Sequence, residues 1–509
     1  MIGKFHNPIS AGGSLPDPAV YCPTNGYIDP TDPVQVEDAG LIPNPILPAD
    51  GWVLLAEFQN NSPYTTTFDP TIAATSGQYA WDLGDGTFFI GDKSISHTYL
   101  TTATRTVKLY GKGTCNITTI DFNTDNIVGV LDLSNDAFKP LSQITAHTNL
   151  LMTGVIFPST STGTITSVYL YGTGITGVLD LSMFTVLGSA VSLQLQSNSS
   201  LTGVTFASLI SGTATISSLF VYSCALSGTL DLSMFNKLGT SASIQLHLNS
   251  SLTGVTFASS FSAGALGVLD LHNTGIVGTL DLSAFSIFTT AGQLQLYNMA
   301  SLTGITFASS ISGTIAQLNI YSVGITGTLD LSKFTTFTTT ASITIGGDAS
   351  LTGITFASSI SGTIATLAIY STGITGTLDL SKFTTFTNTA SIYLYSNSSL
   401  TGVIFSASTI TGFVRTLQMY SNTSLGYVDL TKLKTGVASL AWRFDGNGWT
   451  AAIVNQVLVN IDAMSVAGFT GRVVNIGGTN TDPDTTSGGY NGSAARTSLI
   501  AKGFTVTIT

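Results

Sequence analysis

The sequence predicts a mainly β chain built around a solenoid. Short coils of about 25 residues stack so that one strand of each joins a parallel sheet, with short strands before them and a helix-bearing cap after them. Three observations lead there. One apolar pattern returns from Ile120 to Phe444, its first member falling at Ile120, Ile144, Val168, Leu193, Leu219, Ile244, Leu269, Leu294, Leu318, Ile343, Leu367, Ile392, Leu417 and Leu440, in steps of 23 to 26 residues. Nine of the 14 prolines lie before residue 50, which sets that segment apart from the rest. Near residue 450 the apolar residues change to helical spacing.

Composition narrows the class of molecule. Only 8% of residues are charged while Ser, Thr, Asn and Gly are plentiful, so hydroxyls and amides must solvate the surface, as in a rigid, exposed β-rich particle. A net charge of -11 and a pI near 4.6 argue against a surface that tracks phosphates, and so against a nucleic-acid partner. Mean hydropathy is +0.38, yet no run of about 18 apolar residues occurs, so no membrane span is read. Cys22, Cys115 and Cys224 are odd in number and unrelated in spacing, which points to neither a disulfide framework nor a zinc site.

Residues 1–50 hold Pro8, Pro16, Pro18, Pro23, Pro30, Pro33, Pro43, Pro45 and Pro48. Proline fixes φ and removes a ladder donor, so the segment should be extended, without sheet or helix of its own. Two readings stay open, a disordered tail or an arm that orders on docking to a neighbour. The aromatics of "VYCP" and "GYIDP" favour the arm. The opening "MIGKFHNPISAGGSLPDPAV" lacks the apolar core of a secretory signal, which leads us to expect assembly inside a cell and release by lysis.

Residues 51–113 change to short strands, "GWVLLAEFQ", "GQYAWDLGDGTFFIG", "SISHTYL" and "RTVKLYGKG". Asp85-Gly86 is a turn signal, and Trp81 and Tyr99 are apolar anchors. The run Trp81-Asp82-Leu83-Gly84-Asp85-Gly86-Thr87, followed by His97-Thr98-Tyr99 and Thr106-Val107-Lys108-Leu109, resembles the PKD domain, with Leu83 where that family has Phe. The resemblance implies an immunoglobulin-like β-sandwich. Asp82 and Asp85 suit capping of their own turn better than calcium, which needs more carboxylates than this stretch supplies, and His97 reads as structural.

Residues 114–446 carry the repeat. Leu193-x-Leu195-x-x-Asn198-x-x-Leu201-x-Gly203 and Leu219-x-Val221-x-x-Cys224-x-Leu226-x-Gly228 resemble the leucine-rich repeat. Within each coil the L-x-L residues should point inward and the residues between them outward from a parallel sheet. Cys224 stands at the Asn/Cys position, where a buried thiol is the ordinary occupant. Two kinds of return alternate, "GTLDLSxF" and "SLTGVTFASSISGT", giving a second period of about 50, and their lack of helical spacing predicts extended or 3-10 backs. Phe206, Phe257, Phe307, Phe356 and Phe405 of one return, and Phe184, Phe235, Phe285, Phe334 and Phe383 of the other, should stack in the core.

Residues 447–509 read as capping coils. Ile453, Val457, Leu458, Ile461 and Met464 fall at helical intervals, with Thr450 as N-cap and Gly468 as a stop, before a strand "RVVNIGG", a helix "SAARTSLIAKG" and a last strand "FTVTIT". Such an end coil protects an open apolar column and an unpaired edge. "NIGGTNTDP" and "LIAKGFTVTIT" look like the C-terminal cap of leucine-rich-repeat proteins from Bacteroidetes bacteria and their phages. Together the resemblances cover about 90% of the chain and imply a β-sandwich, a leucine-rich-repeat solenoid and a cap, in that order.

No catalytic constellation, cofactor motif or metal-ligand spacing is found. Asp132, Asp180, Asp231, Asp281, Asp330, Asp379 and Asp429 of "LDLS" recur every second coil, roughly 10 Å apart, too far to share a cation. A hydrogen bond from each to local backbone is expected instead. The outward residue just after L-x-L gives the candidate ligand-binding column: Asn123, His147, Tyr171, Gln196, Tyr222, His247, His272, Tyr297, Tyr321, Gly346, Tyr370, Tyr395 and Tyr420. Tyrosine supplies rigid contact area and a hydroxyl, the chemistry of antibody sites and sugar-stacking platforms. It is also a good strand former whose same-face neighbours stabilise a sheet unaided, and both readings stay open.

The expected function is a non-enzymatic structural protein of a phage virion, a fibre, spike or decoration subunit. The arm would bind other virion proteins and the solenoid would meet a host-surface glycan or protein. A homo-oligomer is compatible with this, and a bacterial cell-surface adhesin of the same architecture is the alternative.

Overall fold

The computed structural model describes residues 51–62, 67–211 and 215–508, together with a short antiparallel pairing of Tyr21–Cys22 with Gly26–Tyr27. The expectation of a Pro-rich arm otherwise lies outside the described residues. The described residues are 49% strand and 7% helix and form a parallel β-solenoid of about 13 coils, each of about 25 residues. It divides into two compact units, Met1–Phe235 and Asn236–Thr509.

In the first unit the organising element is the strand Arg105–Asp121. Trp52–Asn60 runs antiparallel along one edge, Trp52 opposite Lys112, and Thr71–Asp82 runs antiparallel along the other, Gln78 opposite the same Lys112. Its residues Val107, Leu109, Ile117 and Ile120 are fully buried, in strict alternation only over the first part of the strand. Phe88–Ile90 folds back on Thr71–Asp82 through the Gly-Asp-Gly turn, where Asp82 Oδ1 accepts from Gly84 N at 2.9 Å and Asp85 Oδ1 from Thr87 N at 3.0 Å. These acids cap their own turn, as expected. His97 and Tyr99 are spent there too: His97 Nε2 lies 2.8 Å from Asp85 Oδ2, and the Tyr99 hydroxyl donates to Leu83 O at 3.1 Å.

Arg105–Asp121 continues without interruption into the repeat. Ile120 pairs in parallel with Ile144, and Ile144 with Val168. Phe122 of that first coil packs on Phe58 at 5.6 Å and on Trp81 at 6.1 Å, so one aromatic core serves both the antiparallel strands and the coil beside them.

In the second unit the same register runs from coil to coil. Ile244 lies opposite Leu269, Leu269 opposite Leu294, Leu294 opposite Leu318, Leu318 opposite Ile343, Ile343 opposite Leu367, Leu367 opposite Ile392, and Ile392 opposite Leu417. These L-x-L side chains are buried, each contributing roughly 1.5–3 kcal/mol. The next coil corrects the sequence reading: Trp442, not Leu440, lies opposite Leu417. Trp442 is fully buried and its indole N–H donates to Val414 O at 2.9 Å, so a larger ring takes the inward place.

Buried asparagines close one corner of the coil. Thr372, Asn397 and Asn422 donate their backbone N–H to Oδ1 of Asn397, Asn422 and Asn447 in the following coil, at 3.0, 2.8 and 2.8 Å. The amide nitrogens of the three asparagines donate to the carbonyls of Ile369, Leu394 and Met419. Each side chain thereby satisfies backbone groups that a sharp turn would leave unpaired. Cys224 takes this position in the first unit, half-buried rather than buried, its thiol directed at Leu195 O at 3.4 Å; burial pushes it up to about 11.

The returns are extended and pair two by two: Gly278–Leu282 with Leu302–Phe307, Gly327–Leu331 with Leu351–Phe356, and Gly376–Asp379 with Leu400–Ile404. Each "LDLS" aspartate accepts from the backbone N–H two residues on, Asp281 from Ser283 at 2.9 Å and Asp379 from Ser381 at 2.8 Å, as expected. The phenylalanines expected to stack in the core do meet there, in pairs rather than as one column. They meet edge to face, Phe307–Phe334 and Phe356–Phe383 both at 5.0 Å and 84°, with the "LDLSxF" ring buried and its partner half-buried. The ring quadrupole favours that arrangement over a sandwich.

Two helix-backed coils end the chain. Helix α1, Ala451–Met464, starts after Thr450, whose side chain makes no capping bond, and buries Val454, Val457, Leu458 and Ile461, with Val454 in the place expected for Ile453. Helix α2, Gly492–Ala501, is capped by Asn491, whose side chain accepts from Ala494 N at 2.8 Å. Arg472–Asn475 and Phe504–Thr507 add parallel strands, Trp442 opposite Val474 and Val474 opposite Val506. Among the described residues no helix is long and apolar enough to cross a membrane.

Candidate recognition face

The outward column is positioned by backbone. The residue after each member turns left-handed, for example Leu248, Asn273, Ser371 and Ser396 at φ 58°, 55°, 52° and 58°. Its N–H then donates to the carbonyl of the column residue one coil on: Leu248 to His272, Asn273 to Tyr297, Ser371 to Tyr395 and Ser396 to Tyr420, all at 3.0 Å. A left-handed non-glycine residue costs roughly 1–2 kcal/mol, which the repeated hydrogen bond offsets. Within each unit the column side chains therefore leave their strand ends in the same register.

All nine candidate residues, Tyr171, Tyr222, His247, His272, Tyr297, Tyr321, Tyr370, Tyr395 and Tyr420, are half-buried. In the first unit His147 stacks on Tyr171 at 4.2 Å and 11°, and Tyr222 lies against Phe220 at 6.2 Å. In the second unit His247, His272, Tyr297 and Tyr321 form one run, with centroid steps of 4.5, 4.4 and 4.6 Å and interplanar angles of 12° or less. Tyr370, Tyr395 and Tyr420 form another, with steps of 5.1 and 4.9 Å, closed by the Arg443 guanidinium 4.2 Å from the Tyr420 centroid.

Gly346 separates the two runs. A Cβ there would meet Tyr370 O at 2.5 Å and the Tyr370 ring at 3.0 Å, so Tyr370 leans into the space its neighbour leaves.

This geometry changes what the column offers. Rings 4.2 to 5.1 Å apart leave no room for a ligand ring between them, since a sandwiched ring needs about 7 Å. Within a run the faces are spent on each other, and a ligand meets edges and hydroxyls. Burial raises the hydroxyls of Tyr297, Tyr321, Tyr370 and Tyr395 above the ordinary phenol value, so all four remain donors at neutral pH.

Comparison with protein-family models, with curated proteins and with solved structures finds no match. The chemistry of the face must therefore be read from its own side chains.

A second outward column, two residues before the rings, was not singled out in the sequence. In it Asn319 Nδ2 donates to Gln295 Oε1 at 2.7 Å, while Gln295 Nε2 donates to Oε1 of Gln317, which lies two residues before Asn319, at 2.8 Å, a short amide ladder beside the tyrosines. Asp270 takes the corresponding place next to the two histidines. Its Oδ1 lies 2.5 Å from His272 Nδ1 and its Oδ2 3.4 Å from His247 Nδ1. Burial holds His247 below the ordinary imidazole value, while Asp270 pulls the other way. Sequence reasoning gave no metal-ligating set because Asp270 and His272 lie 23 and 25 residues from His247; only the coil register brings the three together.

Proposed function

We propose that this chain is a non-enzymatic structural subunit of a phage virion, a fibre, spike or decoration protein. Its leucine-rich-repeat-type solenoid presents the Tyr/His column and the amide ladder to a host surface, while a PKD-like sandwich and the Pro-rich arm join it to other virion proteins. The observation that carries the contact role is the ring column itself: half-buried rings aligned by backbone, with hydroxyl edges beside a ladder of planar amides. Rigid donors and acceptors at a fixed spacing suit a polyhydroxylated ligand, because little side-chain entropy is lost on contact. The virion setting rests on the low-charge Ser/Thr-rich composition and on the resemblance to phage and bacterial repeat proteins.

Binding of the purified chain to host cells, before and after the double change Tyr370→Ala with Tyr395→Ala, tests the contact role. Loss of at least about tenfold in affinity with unchanged secondary structure supports it, since central aromatic contacts dominate such interfaces. Unchanged binding removes it. Mass spectrometry of purified virions tests the setting, and recovery in the bacterial envelope fraction instead would favour the adhesin reading.

A further inference from the structure

We propose that His247, Asp270 and His272 form a binding site for one divalent transition-metal ion of borderline softness, with zinc as the reference occupant. One ligand atom from each residue lies within 4.8 Å of the others. The three come from two neighbouring coils. His247 and His272 occupy the same column position one coil apart, and Asp270 precedes His272 by two residues, which places it on the same face of the strand. The chemistry is a two-imidazole, one-carboxylate set, which suits zinc and related ions and leaves positions open for water or a ligand oxygen.

Two departures from the local pattern coincide here. The column carries histidine in two successive coils, and the amide ladder carries a carboxylate in the one place that touches both: Gln245 and Gln295 flank Asp270 in the preceding and following coils. All three side chains are 14 to 16% exposed, enough for an ion to enter while excluding most bulk water. Ligand atoms around a tetrahedral ion stand roughly 3.4 Å apart. The 3.4 Å between His247 Nδ1 and Asp270 Oδ2 already meets this, and the 2.5 Å between His272 Nδ1 and Asp270 Oδ1 must open by about 1 Å. The imidazoles stand parallel at 4.5 Å and 12°, so each must also turn about χ2, a soft torsion for an aromatic ring, to converge on one ion. The site does not depend on whether the tyrosines contact a host.

Titration of the chelator-treated full chain with Co²⁺ and Zn²⁺, followed by visible absorption and calorimetry, tests the site. One ion per chain is expected, with the d–d bands of a nitrogen-ligated cobalt displaced by zinc and left unchanged by Mg²⁺ or Ca²⁺. Asp270→Asn, which puts an amide where the adjoining coils carry one, and His272→Gln should each weaken binding by at least about tenfold with unchanged circular dichroism. His147→Gln, on the same column in the first unit, should bind as the parent does. Absence of saturable binding, or equal affinity in the parent and in a chain carrying both Asp270→Asn and His272→Gln, overturns the proposal.

Discussion

On the ring-bearing face of the second unit every coil pairs with the next in one sheet, whereas on the returning face strand ladders join coils two by two, with isolated backbone bonds between one ladder and the next. The first face is held by backbone. Its outward positions can therefore vary through His, Tyr and Gly without loss of register, as at His272, Tyr297, Tyr321 and Gly346. The second joins short two-stranded ladders by isolated backbone bonds, such as Thr326 N–H to Thr303 O at 3.2 Å and Thr375 N–H to Thr352 O at 3.1 Å, and adds an edge-to-face phenylalanine pair and an aspartate turn in each double coil, residues that recur nearly unchanged. Freedom to change the side chain without losing the fold is what a recognition surface needs, which supports the contact role proposed for the first face.

Removing one ring from each face should separate these roles most sharply. Phe383 is 2% exposed, and Phe383→Ala should cost about 3–5 kcal/mol in chemical denaturation. Tyr395, stacked on both sides but half-buried, should cost only about 1 kcal/mol as Tyr395→Ala. Equal losses would mean that the column is structural packing and would undo the contrast. An effect between these two belongs to Gly346→Ala, because the new Cβ would sit 2.5 Å from Tyr370 O, a backbone atom. We expect a loss of about 1–3 kcal/mol and a changed near-ultraviolet tyrosine signal. No change in either would show that Tyr370 moves freely.

The smallest effects, and the most selective, should come from pH. Asp281 and Asp330 accept hydrogen bonds from Ser283 and Ser332, which hold their carboxyls below the ordinary value. Their stabilisation is present above the unfolded carboxyl value near 3.8 and is lost as pH falls through the lower folded value. The tyrosines shift the opposite way. Burial raises Tyr297 and Tyr395, so the unfolded chain gives up its phenol protons first, and stability falls as pH rises above about 10 toward the higher folded values. Amide exchange followed against pH should show the returning face loosening first in acid and the ring face first in alkali. Simultaneous loosening at both extremes would argue that the two faces do not respond separately.

Much of the solenoid was legible because parallel, in-register stacking turns a sequence period directly into a spatial neighbour. The inward ladders, from Ile120 to Leu219 in the first unit and from Ile244 to Leu417 in the second, and the local role of the aspartates follow from counting alone. The register of the last repeat coil did not, because Trp442 is not the aliphatic residue that the pattern teaches one to look for, and Leu440 two positions earlier is. The candidate column was legible as a set of residues but not as a surface. Tyr297 and Tyr321 could be placed in adjacent coils from their numbers, yet nothing in the numbers says whether their faces or their edges meet a ligand.

The sequence by itself determined the period, the residues that share each column and the place where helices take over the returns. Each of these depends only on which side chains recur and how far apart. The tertiary structure decided what those columns became: rings stacked on one another, a gap at Gly346 filled by Tyr370, phenylalanines meeting edge to face, and Asp270 joined to two histidines. A strand spacing of about 4.8 Å is close enough for neighbouring rings to spend their faces on each other. That distance is a property of the assembled sheet, not of any residue in it.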